Sequence, residues 1–481
     1  MRILGSLRNW SKLALVFLSF SISSELFAAE TITSYDALLK KAFNQSAEYQ
    51  KIQAQLEVET IDAKSMLALY NWSLTGGVSR VDAERPITNP FAPNQQLTTT
   101  YNVKLEKENL SGVNPFLEMR SDDSGLTFPD GRSTSFQTAT IEAGLRVDVM
   151  KALLLKSSIQ AFSESITRKE LAELSQKSAK QAFATKVSKA YYQALKSNKA
   201  FEILKTQCSE YSRLQSISSK RFKKRLIQEK DFLIIEVLYQ NCQLDKKTAE
   251  NNKTMDELAL LKVAGLSLDT KLNFNNAKFP ISSLSSGKVD VTSNVDYQLA
   301  QKLLKASEQS AASLKSDLLP DLDFSYSLLS QAAGNSVGNS LGEASKFDLL
   351  THNLGLNLKY EFGESASKLE AKRALAFQAV KKYELLELEN SLDRDATTIS
   401  KSILYLNSGL SKARSLVKLQ ERKAKLFRQD FANGRGSVRD LVEAQVAYLS
   451  SLERSLLFQF NLSGSNLDLI QIKGEQIEKF N

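Results

Sequence analysis

Ala311 to Leu319 reads as the end of a helix, and Pro320-Asp321-Leu322-Asp323-Phe324-Ser325-Tyr326-Ser327-Leu328 then alternates apolar and polar residues without interruption. Proline cannot continue a helix and holds the residue before it in extended backbone, so the side-chain period changes sharply here from about 3.6 to 2. A returning strand follows in Leu354-Gly-Leu356-Asn-Leu358-Lys-Tyr360-Glu-Phe362, with apolar residues on one face and Asn, Lys and Glu on the other. Behind it, from Glu364 to Phe431, there is no Pro, and Gly occurs only at Gly409. At 1.5 Å per residue such a helix runs about 100 Å, several times the width of a small domain. It cannot be the core helix of a compact fold and must lie along a partner as a coiled coil. Val438, Val442, Val446, Leu449, Leu452, Leu456 and Phe460 supply the seam of that partner, in steps of three or four.

The first half of the chain has the same order. Asp62 to Leu69 ends a helix, Trp72-Ser-Leu74-Thr-Gly76-Gly-Val78 alternates, Ile141 to Val149 alternates back, and 151–222 holds neither Pro nor Gly. Placing Phe222 on Phe431 aligns Lys230 with Arg439, Asp231 with Asp440, Val237 with Val446 and Tyr239 with Tyr448, at a constant offset of 209. The first half is longer because of 82–135, which carries five of the seven prolines and reads as a long loop with one strand-like stretch, Leu97 to Leu105. Whether that loop adds strands or caps the sheet is open at this level.

The spacing predicts this organisation: signal peptide 1–28; first repeat 29–262 with strands at about 72–81 and 139–149, long loop 82–135 and hairpin 151–262; linker 263–292. The second repeat is 293–473, with strands at about 321–329 and 353–362 and hairpin 364–473, before a tail at 474–481. The signal peptide is read from Arg2, Arg8 and Lys12, the apolar run Leu13 to Phe20 and the small-residue exit at Ala28. That run is too short for a spanning helix, and nothing later is long enough, so a membrane crossing would have to be made by strands.

Composition narrows the function. The 481 residues include one His, His352, and two Cys, which cannot make a His/Cys zinc site, a His-based triad or a Cys-x-x-Cys centre. The net charge of +9 is spread along the chain rather than gathered in a basic block, so nucleic acid is not an expected partner. No cofactor, metal or catalytic residue is expected. Asp321 and Asp323 are a conceivable acid pair, but they lie two apart on one strand face with no pocket signature, as lumen-facing polar residues would.

The duplicated order resembles the TolC-like outer-membrane efflux proteins. The resemblance rests on Phe431-Ala-Asn-Gly434-Arg-Gly-Ser437-Val-Arg-Asp440-Leu-Val-Glu443, on Ala311 through Leu328, and on Gly355 to Ala371. It implies a mainly α fold with a β-barrel part: long antiparallel coiled-coil helices forming a periplasmic tunnel, and four strands per chain closing a trimeric 12-stranded outer-membrane barrel. It further implies a homotrimer in outer-membrane lipid, a periplasmic adaptor (membrane fusion) protein and an inner-membrane pump. The function implied is the exit duct of a tripartite efflux or type I secretion system. A periplasmic coiled-coil adaptor or scaffold without a barrel is the alternative.

Three sets of site residues follow from these readings. Adaptor docking is expected at the hairpin tips, Arg225, Leu226, Ile227 and Gln228 in the first and Gly434, Arg435, Gly436 and Ser437 in the second. Asp440 and Glu443 match positions where the family places inward-facing carboxylates, and imply a periplasmic gate. Two departures stand out: the first tip lacks the family's Gly-Leu pair, and Tyr70 stands where the second half has Pro320. In addition, Phe431 stands where the resemblance leads one to expect a Tyr, which removes one gate hydrogen bond. Finally, if the first hairpin turns at Arg225, facing residues have numbers summing to about 450, which puts Cys208 and Cys242 at the same height. An exported chain meets an oxidising compartment, and a disulfide between them is expected.

Overall fold

The structure is a computed structural model. It describes residues 31–475 apart from 69, 87–88, 90, 110, 151–155, 276, 281–289, 317 and 361, so the signal peptide and most of the tail lie outside the described residues. A short β1 (Thr31–Ile32) leads into α1 (Tyr35–Gln45) and α2 (Ala47–Ala68), and then four strands follow: β2 (Trp72–Glu84), β3 (Gln95–Lys107), β4 (Val113–Thr127) and β5 (Ser133–Asp148). The first hairpin is α3 (Lys156–Lys223) and α4 (Glu229–Ala264). The linker brings β6 (Lys271–Leu272) parallel to β1 and enters α5 (Val295–Ser316). The second half continues with β7 (Asp321–Gly334), α6 (Val337–Ala344), β8 (Leu350–Lys359) and the second hairpin, α7 (Ala366–Ala432) and α8 (Val438–Lys473).

The strands form one antiparallel sheet in the order β2-β3-β4-β5-β7-β8. The sheet therefore has six strands rather than four, because 82–135 is not a loop but mostly the hairpin β3–β4. Its prolines are accommodated locally. Pro86 and Pro93 fall between β2 and β3, and Pro129 lies in the β4–β5 turn. Pro115 sits inside β4 one residue beyond the β3–β4 ladder, which ends at Glu106–Phe116, so its missing N–H breaks no bond on that side. β2, β5 and β7 also run longer than their alternation marked, to 13, 16 and 14 residues, whereas β8 keeps ten residues but lies at Leu350–Lys359 rather than 353–362, ending before Tyr360 and Phe362.

Helix ends follow their local chemistry. Ser34 and Ser365 accept hydrogen bonds from the third residue beyond them, Ala37 and Lys368, satisfying free N–H groups at helix starts. Gly265 and Gly474 end α4 and α8 in left-handed backbone at φ 68°. Gly409, the one glycine in α7, leaves room for the Phe458 ring of α8. The helix-to-strand switch needs no proline: residues 69–71 separate α2 from β2, much as 317–320 separate α5 from β7.

The largest core is where α1, α3, α4 and α8 meet. Tyr35, Leu38, Leu195, Leu260, Leu467 and Ile470 are buried there, with the Tyr35 hydroxyl 2.5 Å from Ser188 Oγ. A second core lies near the tips and contains Tyr211, Leu214, Ile235, Phe431 and Leu441. The six-stranded sheet stands at the opposite end of the two hairpins, so the molecule is a sheet mounted on two hairpins whose longer arms, α3 and α7, run about 100 Å.

Candidate functional site

Register across the sheet sorts its side chains into two kinds of row. Leu74, Leu105, Leu117, Ala143, Leu328 and His352 are successive cross-strand partners on one face. The adjacent row on the other face is Thr75, Lys104, Glu118, Glu142, Leu329 and Thr351. The apolar face is open in the chain: Leu74 is 71% exposed and Leu354 and Leu356 are each 72% exposed. Polar residues of the other face bond to each other, as Ser327 Oγ does to Glu142 at 2.5 Å and Arg120 to Asp122 at 2.9 Å. Over β5 and β7 part of the apolar face is covered: α6 lies on Ala139 and Ile141, and Ser330 Oγ donates to the Ala344 carbonyl. Uncovered leucines backed by satisfied polar groups are the reverse of a soluble sheet, whose apolar face is covered.

Asp321 and Asp323 sit on the polar face where β7 begins, with Asp148 facing Asp323 from β5. Carboxylate oxygens of the three lie within 4.8 Å of one another. They mark the junction of sheet and helices.

At the other end the two turns close alike. Arg225 N donates to the Phe222 carbonyl and Leu226 N to that of Arg221; Gly434 N donates to the Phe431 carbonyl and Arg435 N to that of Asp430. Arg225 and Gly434 are 209 residues apart and both take left-handed backbone, at φ 58° and 80°. Glycine adopts that region freely, whereas an L side chain there costs roughly 1–2 kcal/mol. Leu226 is 68% exposed at the apex, and Gln228 and Ser437 begin the return helices.

The tips are joined through Arg221, a residue that sequence reasoning passed over. Its guanidinium donates to the Phe431 carbonyl at 2.6 Å and the Ala432 carbonyl at 2.8 Å, and lies 5.0 Å from the centre of the Phe431 ring. Phe431 is itself buried at 1% exposure. Phe431 thus places a ring in the core beneath a cation. Further up, Arg428 pairs with Glu210 and Gln207 donates to Gln445 at 2.9 Å, both between hairpins. No signal in a single sequence marks these partners, since each is more than 200 residues away. Asp440 and Glu443 are exposed on the first turns of α8, outside this contact network. Cys208 and Cys242 are joined in a disulfide between α3 and α4, with Cα atoms 5.6 Å apart, inside the tip core.

No protein-family model and no curated protein matches the chain. Solved structures do. The outer-membrane protein VceC from Vibrio cholerae is similar with a TM-score of 0.68 at 14% identity, over 92% of this chain and 96% of that one. The CmeC outer-membrane channel of Campylobacter jejuni gives 0.66 at 12% identity, over 91% and 85%. The open state of the MtrE outer-membrane channel of Neisseria gonorrhoeae gives 0.62 at 13% identity, over 92% and 88%. With its paired long helices and antiparallel sheet, this chain has the fold of the TolC-like outer-membrane channels.

Proposed function

We propose that the chain is a passive exit duct in the outer membrane, the last part of a tripartite efflux or type I secretion assembly. The observation that carries this is the apolar face of the sheet, bare along β2 and β8, at one end of helices about 100 Å long. In lipid, such a face needs no cover, and unpaired strand edges are not tolerated. β2 and β8 each have one unpaired edge, so copies of the chain must close the sheet into a barrel. Apolar side chains left bare on the helices, including Leu233 and Val237 on α4 and Leu404 on α7, suit packing against neighbouring copies. The assembly is a homotrimer, as in the family it resembles.

Cargo enters at the hairpin tips. An inner-membrane pump hands it to a periplasmic adaptor, and the adaptor docks at 225–228 and 434–437. Exposed backbone at both turns, with Gly434 allowing close approach, supports that role. Asp440 and Glu443, three copies of each, line the narrow periplasmic mouth and favour cations. The duct makes and breaks no bonds. Gly434→Trp is expected to abolish adaptor crosslinking with assembly intact, and Asp440→Ala/Glu443→Ala to remove cation preference in single-channel records.

Outer-membrane fractionation with heat-modifiable migration on a gel tests the reading as a whole. A protein recovered soluble from the periplasm would be the adaptor or scaffold alternative, and the rows of bare leucines argue against that.

A further inference from the structure

We infer that the β3–β4 hairpin crosses the membrane with the other strands, so that three copies close a barrel of eighteen strands rather than twelve. This rests on the outer-membrane reading above and adds to it. The first support is depth. Lys107, the last residue of β3, pairs with Trp72, the first of β2, and Val113 at the start of β4 pairs with Val147 near the end of β5. The β3–β4 turn therefore lies at the helix end of the sheet, where the Asp148 N–H donates to the Gly112 carbonyl at 2.9 Å. A hairpin that merely capped the barrel would turn at the opposite end.

The second support is the pattern of faces. Gly76, Val103, Met119, Ile141, Ser330 and Leu350 form one continuous register row across all six strands, on the apolar face. Tyr101 and Val103 of β3 and Met119 of β4 are exposed there, at 44%, 48% and 41%. Between them, Asn102 and Arg120 pair on the polar face. The inserted strands thus keep the face parity of their neighbours at the same level, with Val103 and Met119 bare on the apolar face beside Ile141 and Ser330, which lie under α6. β3 and β4, at thirteen and fifteen residues, exceed the nine to eleven that a tilted crossing needs.

Barrel diameter grows with strand number, and sixteen to eighteen strands leave an aqueous channel of porin width. The outer-membrane mouth of this duct is accordingly wide.

Single cysteines decide the matter in the assembled protein in outer membranes, selected for normal oligomer migration. The native pair is disulfide-bonded and does not react with maleimide. With a water-soluble maleimide, Val103→Cys and Met119→Cys are expected to label as slowly as Leu356→Cys on β8, and Asn102→Cys and Arg120→Cys at least about tenfold faster. If the 103 and 119 variants label as fast as the 102 and 120 variants while the 356 variant stays slow, the hairpin is extramembrane: the inference falls and the duct reading stands. Fast labelling at 356 as well would bring down both. Native mass spectrometry of the solubilised assembly counts the chains, and any number other than three overturns the figure of eighteen.

Discussion

The two helical hairpins share one plan and differ in how they are held. α4 and α8 each have 36 residues, each ends in a left-handed glycine, and their turns put Arg225 and Gly434 in the same backbone state at the same offset of 209. The first hairpin, however, is tied by Cys208–Cys242 and has Phe222 stacked on Phe232 at 5.1 Å. The second has no disulfide. Its tip is held from outside by Arg221, which belongs to the first. Duplication therefore supplied two equal hairpins, and a few side chains made one the support and the other its dependent. Asp440 and Glu443, the proposed gate carboxylates, both lie on the dependent hairpin.

The strongest way to break the comparison is to remove the covalent tie. Cys208→Ser/Cys242→Ser is expected to cost the first hairpin about 3–4 kcal/mol for a loop of this length, read as a lower midpoint of thermal unfolding by helical circular dichroism. The reciprocal change sharpens it. Val417→Cys/Ser451→Cys places the pair at the equivalent positions of the second hairpin, and oxidation is expected to stabilise that hairpin by a comparable amount. Failure of that pair to oxidise would show that the hairpins differ in twist at this level.

Arg221→Ala comes next. It removes two charged hydrogen bonds and a cation–π contact, for an expected loss of roughly 2–3 kcal/mol at the tip. The periplasmic mouth should then open more often, seen as more frequent high-conductance events in bilayer recordings. Unchanged recordings would mean that the tips are held by other contacts. Smaller effects are expected at the turns. Arg225→Gly relieves left-handed strain and should stabilise by about 1 kcal/mol, while Gly434→Ala should destabilise by a similar amount. Opposite signs in thermal unfolding at equivalent positions are the point of that pair.

The smallest effect is a pH dependence. Burial, and then the charge of Asp245, raise the Glu453 carboxyl above its ordinary value. The folded chain therefore holds that proton more tightly than the unfolded chain. Stability from this group is greatest below the unfolded value, declines as pH rises, and levels off above the raised folded value. Glu453→Gln should flatten that part of the pH–stability curve and raise stability slightly at neutral pH. A wild-type slope in the variant would show that another group titrates there.

Much of this architecture could be read locally. The run free of Pro and Gly from 151 to 222 holds no helix breaker, α3 occupies it from Lys156 onward, and the 209-residue offset locates both turns. β7 and β8 alternate cleanly because Leu322, Phe324 and Tyr326 on one strand and Leu354, Leu356 and Leu358 on the other keep strict parity. The hairpin tips and the positions of Asp440 and Glu443 on α8 follow from the same local rules. What the sequence by itself determined is thus the content of each element, since helix and strand periods depend on residues a few positions apart. Only the tertiary structure decided what those elements pair with. Phe116 on the polar face of β4, with Ser121 and Asp123 on the apolar one, blurs the parity that would have marked a strand, and register with β3 and β5 restores it. Arg221 likewise reads as one basic residue among many until Phe431, 210 positions away, is folded against it. Cross-strand register and contacts between hairpins join residues far apart in the chain, and no local period encodes which partner will be met.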